Sequence, residues 1–142
     1  MAAPLVILDT NVLVSAVRSR RGASYRLLSL VGTSRFEISL SVPLVLEYEE
    51  ALLRQVPTSA LTQRDVRDLV DYLCSVGHAQ EIFFLWRPRL RDPKDDLVLE
   101  LAVAAGCDAI VTFNQRDFAG AGSFGIQILR PGELLAKIGA LP

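Results

Sequence analysis

Residues 5–14 read LVILDTNVLV, an apolar run rich in β-branched residues and interrupted at Asp9. A short apolar stretch such as Leu5 to Leu8 is what a parallel strand covered on both faces looks like. Asp9 then falls at its carboxyl end. An ionised carboxylate in a dry interior costs several kcal/mol unless it is paired, hydrogen-bonded or bound to a metal. The rest of the chain must supply Asp9 with a partner.

Outward from this strand the pattern alternates. Val12 to Val17 and Ala23 to Val31 read as helices, and Glu37 to Leu40 as a second strand. Pro43 to Gln55 reads as a helix with its proline in the first turn, where the missing N–H is harmless. Thr62 with Asp65 resembles a capping box opening a helix that ends near His78. Ile82 to Leu85 reads as a third strand, Pro93 to Ala105 as a helix, Ala109 to Phe113 and Ile126 to Leu129 as strands, and Gly132 to Ile138 as a closing helix. Strands alternating with helices predict an α/β fold, a three-layer α/β/α sandwich with a mainly parallel central sheet. Ligands of such sheets bind beyond the carboxyl ends of the strands, near a topological switch point. Asp9 and Asn114 would both lie on that rim.

The chain of 142 residues is expected to form one domain, 1–142, since that length buries roughly 70% of the unfolded surface in a single core. At 51% hydrophobic content, without low-complexity tracts, disorder is not expected. No apolar run approaches the roughly 20 residues of a membrane span and no basic signal-peptide start is present, so the expected setting is cytoplasmic, away from membranes. Cys74 and Cys107 lack metal-ligand spacing and are expected to be reduced core residues. The single histidine, His78, without a G-x-S-x-G elbow, argues against a Ser-His-Asp hydrolase. A net charge of −1 offers nucleic acid no bulk attraction, so any such binding rests on local patches.

The acidic residues divide into those a bland account explains and those it leaves over. In DPKDD (92–96), Asp92 before Pro93 suits an N-cap, and Asp95, three residues on, suits the capping-box position. Asp96 lies beyond the usual capping positions, and a dipole preference of about 0.3–1 kcal/mol is all that helix initiation offers it. In LVLEYEEALLR (44–54), Glu50 can pair with Arg54. Glu49 is flanked by Val45, Leu52 and Leu53, which places it near the core by periodicity. Glu47 is nearer the helix N-terminus, and periodicity leaves the choice between them open. In DAIVTFNQRDF (108–118), Thr112, Asn114 and Asp117 follow a strand into a loop, where Asn and Asp are also ordinary turn residues. Carboxylates at two strand ends and two helix starts can converge on one rim pocket. Clustered carboxylates repel one another unless a cation neutralises them, and oxygen ligands with so little His and Cys suit Mg²⁺ or Mn²⁺ better than zinc.

Four stretches in order, LVILDTNVLVSA (5–16), SVPLVLEYEEALLR (41–54), DPKDDLVLELAVAAGCDAIVTFNQRDF (92–118) and ILRPGELL (128–135), resemble the PIN-domain family, close to its toxin components of toxin–antitoxin pairs. The resemblance implies a PIN-like sandwich and a metal-dependent ribonuclease. It places the family acids on Asp9, Glu47, Asp96 and Asp117, choosing Glu47 over Glu49. Thr10 and Asn11 resemble the polar pair that follows the first acid, and Thr112 the hydroxyl before the last loop. The sequence departs at Asn114, where relatives often carry another aspartate, which weakens the hold on a second ion. One or two Mg²⁺ or Mn²⁺ ions on Asp9, Asp96 and Asp117, with Glu47 holding a ligand or orienting water, would activate water for phosphodiester hydrolysis.

Substrate RNA could be met by Arg18, Arg20 and Arg21 after the first helix and by Arg87, Arg89 and Arg91 before the third acid. Tyr25, Trp86 and Phe113 are expected in the core, with base stacking as the alternative. The resemblance also implies a small antitoxin partner and a homodimer. The rival reading is a catalytically weak PIN-like module that binds RNA or protein. A two-aspartate phosphatase would need Asp at Asn11, a receiver domain leaves Glu47 unexplained, and dinucleotide binding lacks its Gly-rich turn.

Overall fold

The computed structural model describes residues 3–82 and 92–140. Its sheet has five strands, β1 (Leu5–Leu8), β2 (Glu37–Leu40), β3 (His78–Ala79), β4 (Ala109–Val111) and β5 (Gln127–Leu129). They lie in the order β3-β2-β1-β4-β5, and every pairing is parallel. The helices are α1 (Thr10–Arg18), α2 (Ala23–Ser29), α3 (Val42–Leu53), α4 (Gln63–Val76), α5 (Pro93–Ala104) and α6 (Pro131–Lys137).

The chain steps outward from β1 to β2 and β3, and α5 then carries it back to β4 on the other side of β1. Right-handed crossovers running in opposite directions put their helices on opposite faces. Accordingly α1 packs on α2 and α3, and α3 on α4, while α5 packs on β1, β2 and β4. The result is the expected α/β/α sandwich, with its switch point between β1 and β4.

Local rules set the elements. Val6, Ile7 and Leu8 are buried, as a central strand covered on both faces requires. Thr62 and Asp65 form a reciprocal capping box, with Asp65 N–H on Thr62 Oγ1 at 3.0 Å and Thr62 N–H on Asp65 Oδ2 at 2.9 Å. Helix α4 buries Val66, Val70 and Leu73. It ends at Val76, two residues before His78, where Gly77 passes close to β2 and an added Cβ would sit 2.5 Å from Leu40 Cδ1. The third strand therefore forms at His78–Ala79. Ile82 lies outside any strand, and the remainder of the expected strand, residues 83–85, lies outside the described residues.

Tyr48 of α3 is buried and donates its hydroxyl to the carbonyl of Leu8, the residue before Asp9. This bond fixes the height of α3 against the carboxyl end of β1. Burial pushes the Tyr48 hydroxyl well above its ordinary pKa, so it stays a neutral donor. Tyr48→Phe should destabilise the fold by about 1 kcal/mol in urea titration, the usual net worth of one hydrogen bond. An unchanged midpoint would remove this bond from the account.

Candidate active site at the strand-end rim

Asp9 continues β1 by one bond, its N–H reaching Val111 O of β4 at 2.8 Å, and then caps α1. That cap explains why α1 starts at Thr10 and not at Val12. Both carboxylate oxygens are engaged: Oδ1 accepts from Thr10 N–H at 2.9 Å and Oδ2 from Thr112 Oγ1 at 2.8 Å. Thr112 is fully buried at the exit of β4. Its hydroxyl also accepts from Asn11 Nδ2 at 3.3 Å and from Asn114 N–H at 3.0 Å, while Asn11 Oδ1 accepts from Phe113 N–H at 3.4 Å. The first turn of α1 and the loop after β4 are thus sewn together across the switch point.

A cap alone does not account for Asp9. Asp65, an exposed capping carboxylate, has its pKa lowered by its bonds to Thr62. Asp9 moves the other way: burial raises it, the bonds from Thr112 and Thr10 offset part of this, and the charges of Glu47 and Asp117 raise it further. Glu47 lies in α3 beside Tyr48, with its side chain 21% exposed. Asp117 is exposed in the 3-10 turn Gln115–Phe118, its N–H on Asn114 O at 3.0 Å. Glu49 is exposed, because the core face of α3 is Leu44, Tyr48, Ala51 and Leu52.

A large displacement falls on Asp95, which the capping pattern had absorbed. Its carboxyl is pushed up to about 7 by burial and by the charges of Asp9, Asp117, Asp92 and Glu47. The first turn of α5 is capped by Asp92 Oδ1 on Lys94 N–H at 2.9 Å, while Asp95 is half-buried and faces the shared field. Asp96, half-buried, is the next residue, about 100° further round the helix. Helix phase does not separate the two, since the residues three and four places on are buried for both Asp95 (Val98, Leu99) and Asp96 (Leu99, Glu100).

Other expected contributors stand apart. Arg18, Arg20 and Arg21 are exposed at the far end of α1 from Asp9, about 13 Å along the helix axis. Arg18 and Arg20 line a polar recess there with Gln55, Thr58 and Ser59. Arg87, Arg89, Arg91 and Trp86 lie outside the described residues. Tyr25 and Phe113 are not core residues, being 41% and 43% exposed. Cys107 is buried as expected, whereas Cys74 is exposed and lines an apolar groove with Leu40, Val42 and Leu46.

Among the described residues, no group of three or more His, Cys, Asp or Glu side chains closes tightly enough to enclose an ion. The donor set is nevertheless all oxygen, the chemistry of a hard divalent cation. A positive charge already sits against it: Lys94 Nζ is 3.5 Å from Glu47 Oε1.

A parallel α/β sheet with mutually repelling carboxylates at its switch point defines a class, that of enzymes working at a strand-end rim. The chain belongs to the PIN-domain family, whose profile matches residues 5–116, ending one residue before Asp117. Comparison with curated proteins gave no match. The PIN domain is a nuclease fold, so the chain is at a coarse level a hydrolase with nucleic acid as its partner. Among the described residues no helix is long and apolar enough to cross a membrane.

Two outcomes follow from this geometry. Thr112→Val removes the donor to Asp9 Oδ2 and should cost about 1.5–3 kcal/mol in urea titration, the range for a hydrogen bond to a charged group. A raised folded-state pKa means the folded chain binds more protons than the unfolded one between pH 3.8 and about 7. Stability from Asp95 is therefore complete below that window and is lost as pH rises through it. In EDTA, the melting temperature should fall from pH 5 to pH 8, and Asp95→Asn should flatten the fall; equal slopes for both proteins would contradict the assignment.

Proposed function

We propose that the chain is a metal-dependent ribonuclease that hydrolyses RNA phosphodiester bonds with Mg²⁺ or Mn²⁺, and that it is the toxin of a toxin–antitoxin pair. The nuclease reading is carried by the gathering of Asp9, Glu47, Asp95 and Asp117 at the switch point, where burial first, and then the charges of its neighbours, push the Asp95 carboxyl up to about 7. Such crowding works against the folded state, so it has no account in stability.

Asp9, Asp95 and Asp117 would hold the ion, with Glu47 as a further ligand or as the acceptor that orients water. Asp95 is proposed for the third place, beside the Asp96 that the resemblance names, because the charges of Asp9, Asp117 and Glu47 act on it. The ion, when bound, supplies positive charge at the phosphodiester and acidifies a water. The chain's own groups prepare for this. Thr112 and Thr10 N–H fix both oxygens of Asp9, and Asn11 holds Thr112 in turn. Asn114 contributes its N–H to that hydroxyl while its neutral side chain adds no charge, which favours one firmly held ion over two.

Exposed Phe113 offers a face for base stacking beside the acids. Arg18, Arg20 and Arg21 would meet RNA some nucleotides from the cleaved bond. The toxin assignment rests on the resemblance of the sequence, and brings with it a small antitoxin, a homodimer and a cytoplasmic setting. Exposed Val42 and Leu46 of α3 are surface that such protein contacts would cover.

Single-stranded RNA incubated with the purified chain should be cut with Mg²⁺ or Mn²⁺ and left intact in EDTA. Asp9→Asn should slow cleavage on the order of 100-fold or more while keeping a folded circular dichroism spectrum. Cleavage at the wild-type rate by that variant would overturn the assignment, and no cleavage by the wild type would favour the non-catalytic module.

A further inference from the structure

Lys94 is a residue that helix formation does not call for. It occupies the first turn of α5, where the positive end of the helix dipole disfavours a cation. Its ammonium reaches across to α3 and lies 3.5 Å from Glu47 Oε1. The pair is unlike Arg54 with Glu50, an i,i+4 contact at 3.0 Å in which both side chains are more than half exposed. Here one partner is mostly buried within the acid cluster, and the other, 58% exposed, stands at its mouth.

An exposed ion pair returns little stability, and the dipole works against this one, so a strut between helices is a weak reason for Lys94. Electrostatics gives a stronger one. The chain has a net charge of −1, and the rim gathers Asp9, Glu47, Asp95 and Asp117, a field that repels a polyanion. Among the described residues, Lys94 is the cation seen bonded to that cluster. A lysine ammonium is a mobile point charge on a flexible stem and suits a phosphate oxygen as well as a carboxylate.

We propose that Lys94 is a substrate-positioning residue: it rests on Glu47 in the free protein and turns to a backbone phosphate of single-stranded RNA adjacent to the bond that is cut. This rests on the nuclease reading for the site, but its binding step stands on charge alone. Exchange of one anionic partner for another leaves the ammonium paired throughout. It also frees Glu47 at the moment substrate arrives.

The test is fluorescence anisotropy with a labelled single-stranded RNA in EDTA over a series of salt concentrations, on wild type, Lys94→Gln and Lys94→Arg. Lys94→Gln should weaken binding about 3- to 10-fold at low salt and lower the slope of log K against log salt by about 0.7, the share of one phosphate contact on a single strand. Lys94→Arg should restore most of both. With Mn²⁺ added, Lys94→Gln should raise KM more than it lowers kcat. Wild-type affinity and slope in Lys94→Gln, or a wild type that binds no RNA, would overturn the proposal. RNA binding that depends on Lys94 in a protein that cuts nothing would sustain it and defeat the nuclease reading instead.

Discussion

The hydroxyl of Thr112 is the point on which the rim is built. It donates a hydrogen bond to Asp9 and accepts hydrogen bonds from Asn11 and from the N–H of Asn114, so one buried oxygen joins the end of β1, the start of α1 and the loop that leads to Asp117. A buried hydroxyl with one donor and two acceptor sites is fully used by these three partners. Replacing it with any apolar group leaves Asp9 desolvated and short of a donor.

Around that point the fold brings acids together that would otherwise avoid one another. The reversal of strand order at β1, with β2 and β3 laid down on one side and β4 and β5 on the other, opens the crevice. Tyr48, bonded to Leu8 O, sets the height at which α3 presents Glu47, and the cap at Asp92 starts α5 where Asp95 meets the same field. Each of these devices stabilises locally, while the sum of the charges does not. The carboxyl of Asp95, raised by burial and further by its charged neighbours, reflects that imbalance, and sites that do chemistry are where such imbalance is kept.

Much of this is legible in the sequence because it is periodic or local. Leu5–Leu8 shows itself as a short apolar run, Glu37–Leu40 as an alternation of polar and apolar residues, and the Thr62–Asp65 cap is a four-residue pattern. What is not legible depends on packing. The two-residue strand His78–Ala79 has no apolar run to mark it and follows from the close approach of Gly77 to Leu40. Asp95 fits a capping rule so well that the rule hides it, and only the packing of α5 against the rim brings it among the other acids. Phe113 looks like the end of a buried strand, yet β4 closes at Val111 and Phe113 emerges at the rim. The nuclease fold is thus readable from motifs, whereas the membership of the acid cluster depends on where α5 lands.

The most direct measurement of the central claim is calorimetric titration of Mn²⁺ into the metal-free protein at pH 7.5, with Asp95→Asn and Asp96→Asn run beside the wild type. The account predicts saturable binding by the wild type, binding weakened about 10-fold or more by Asp95→Asn, and a smaller change in Asp96→Asn. Equal binding by wild type and Asp95→Asn, or no saturable binding at all, would contradict it.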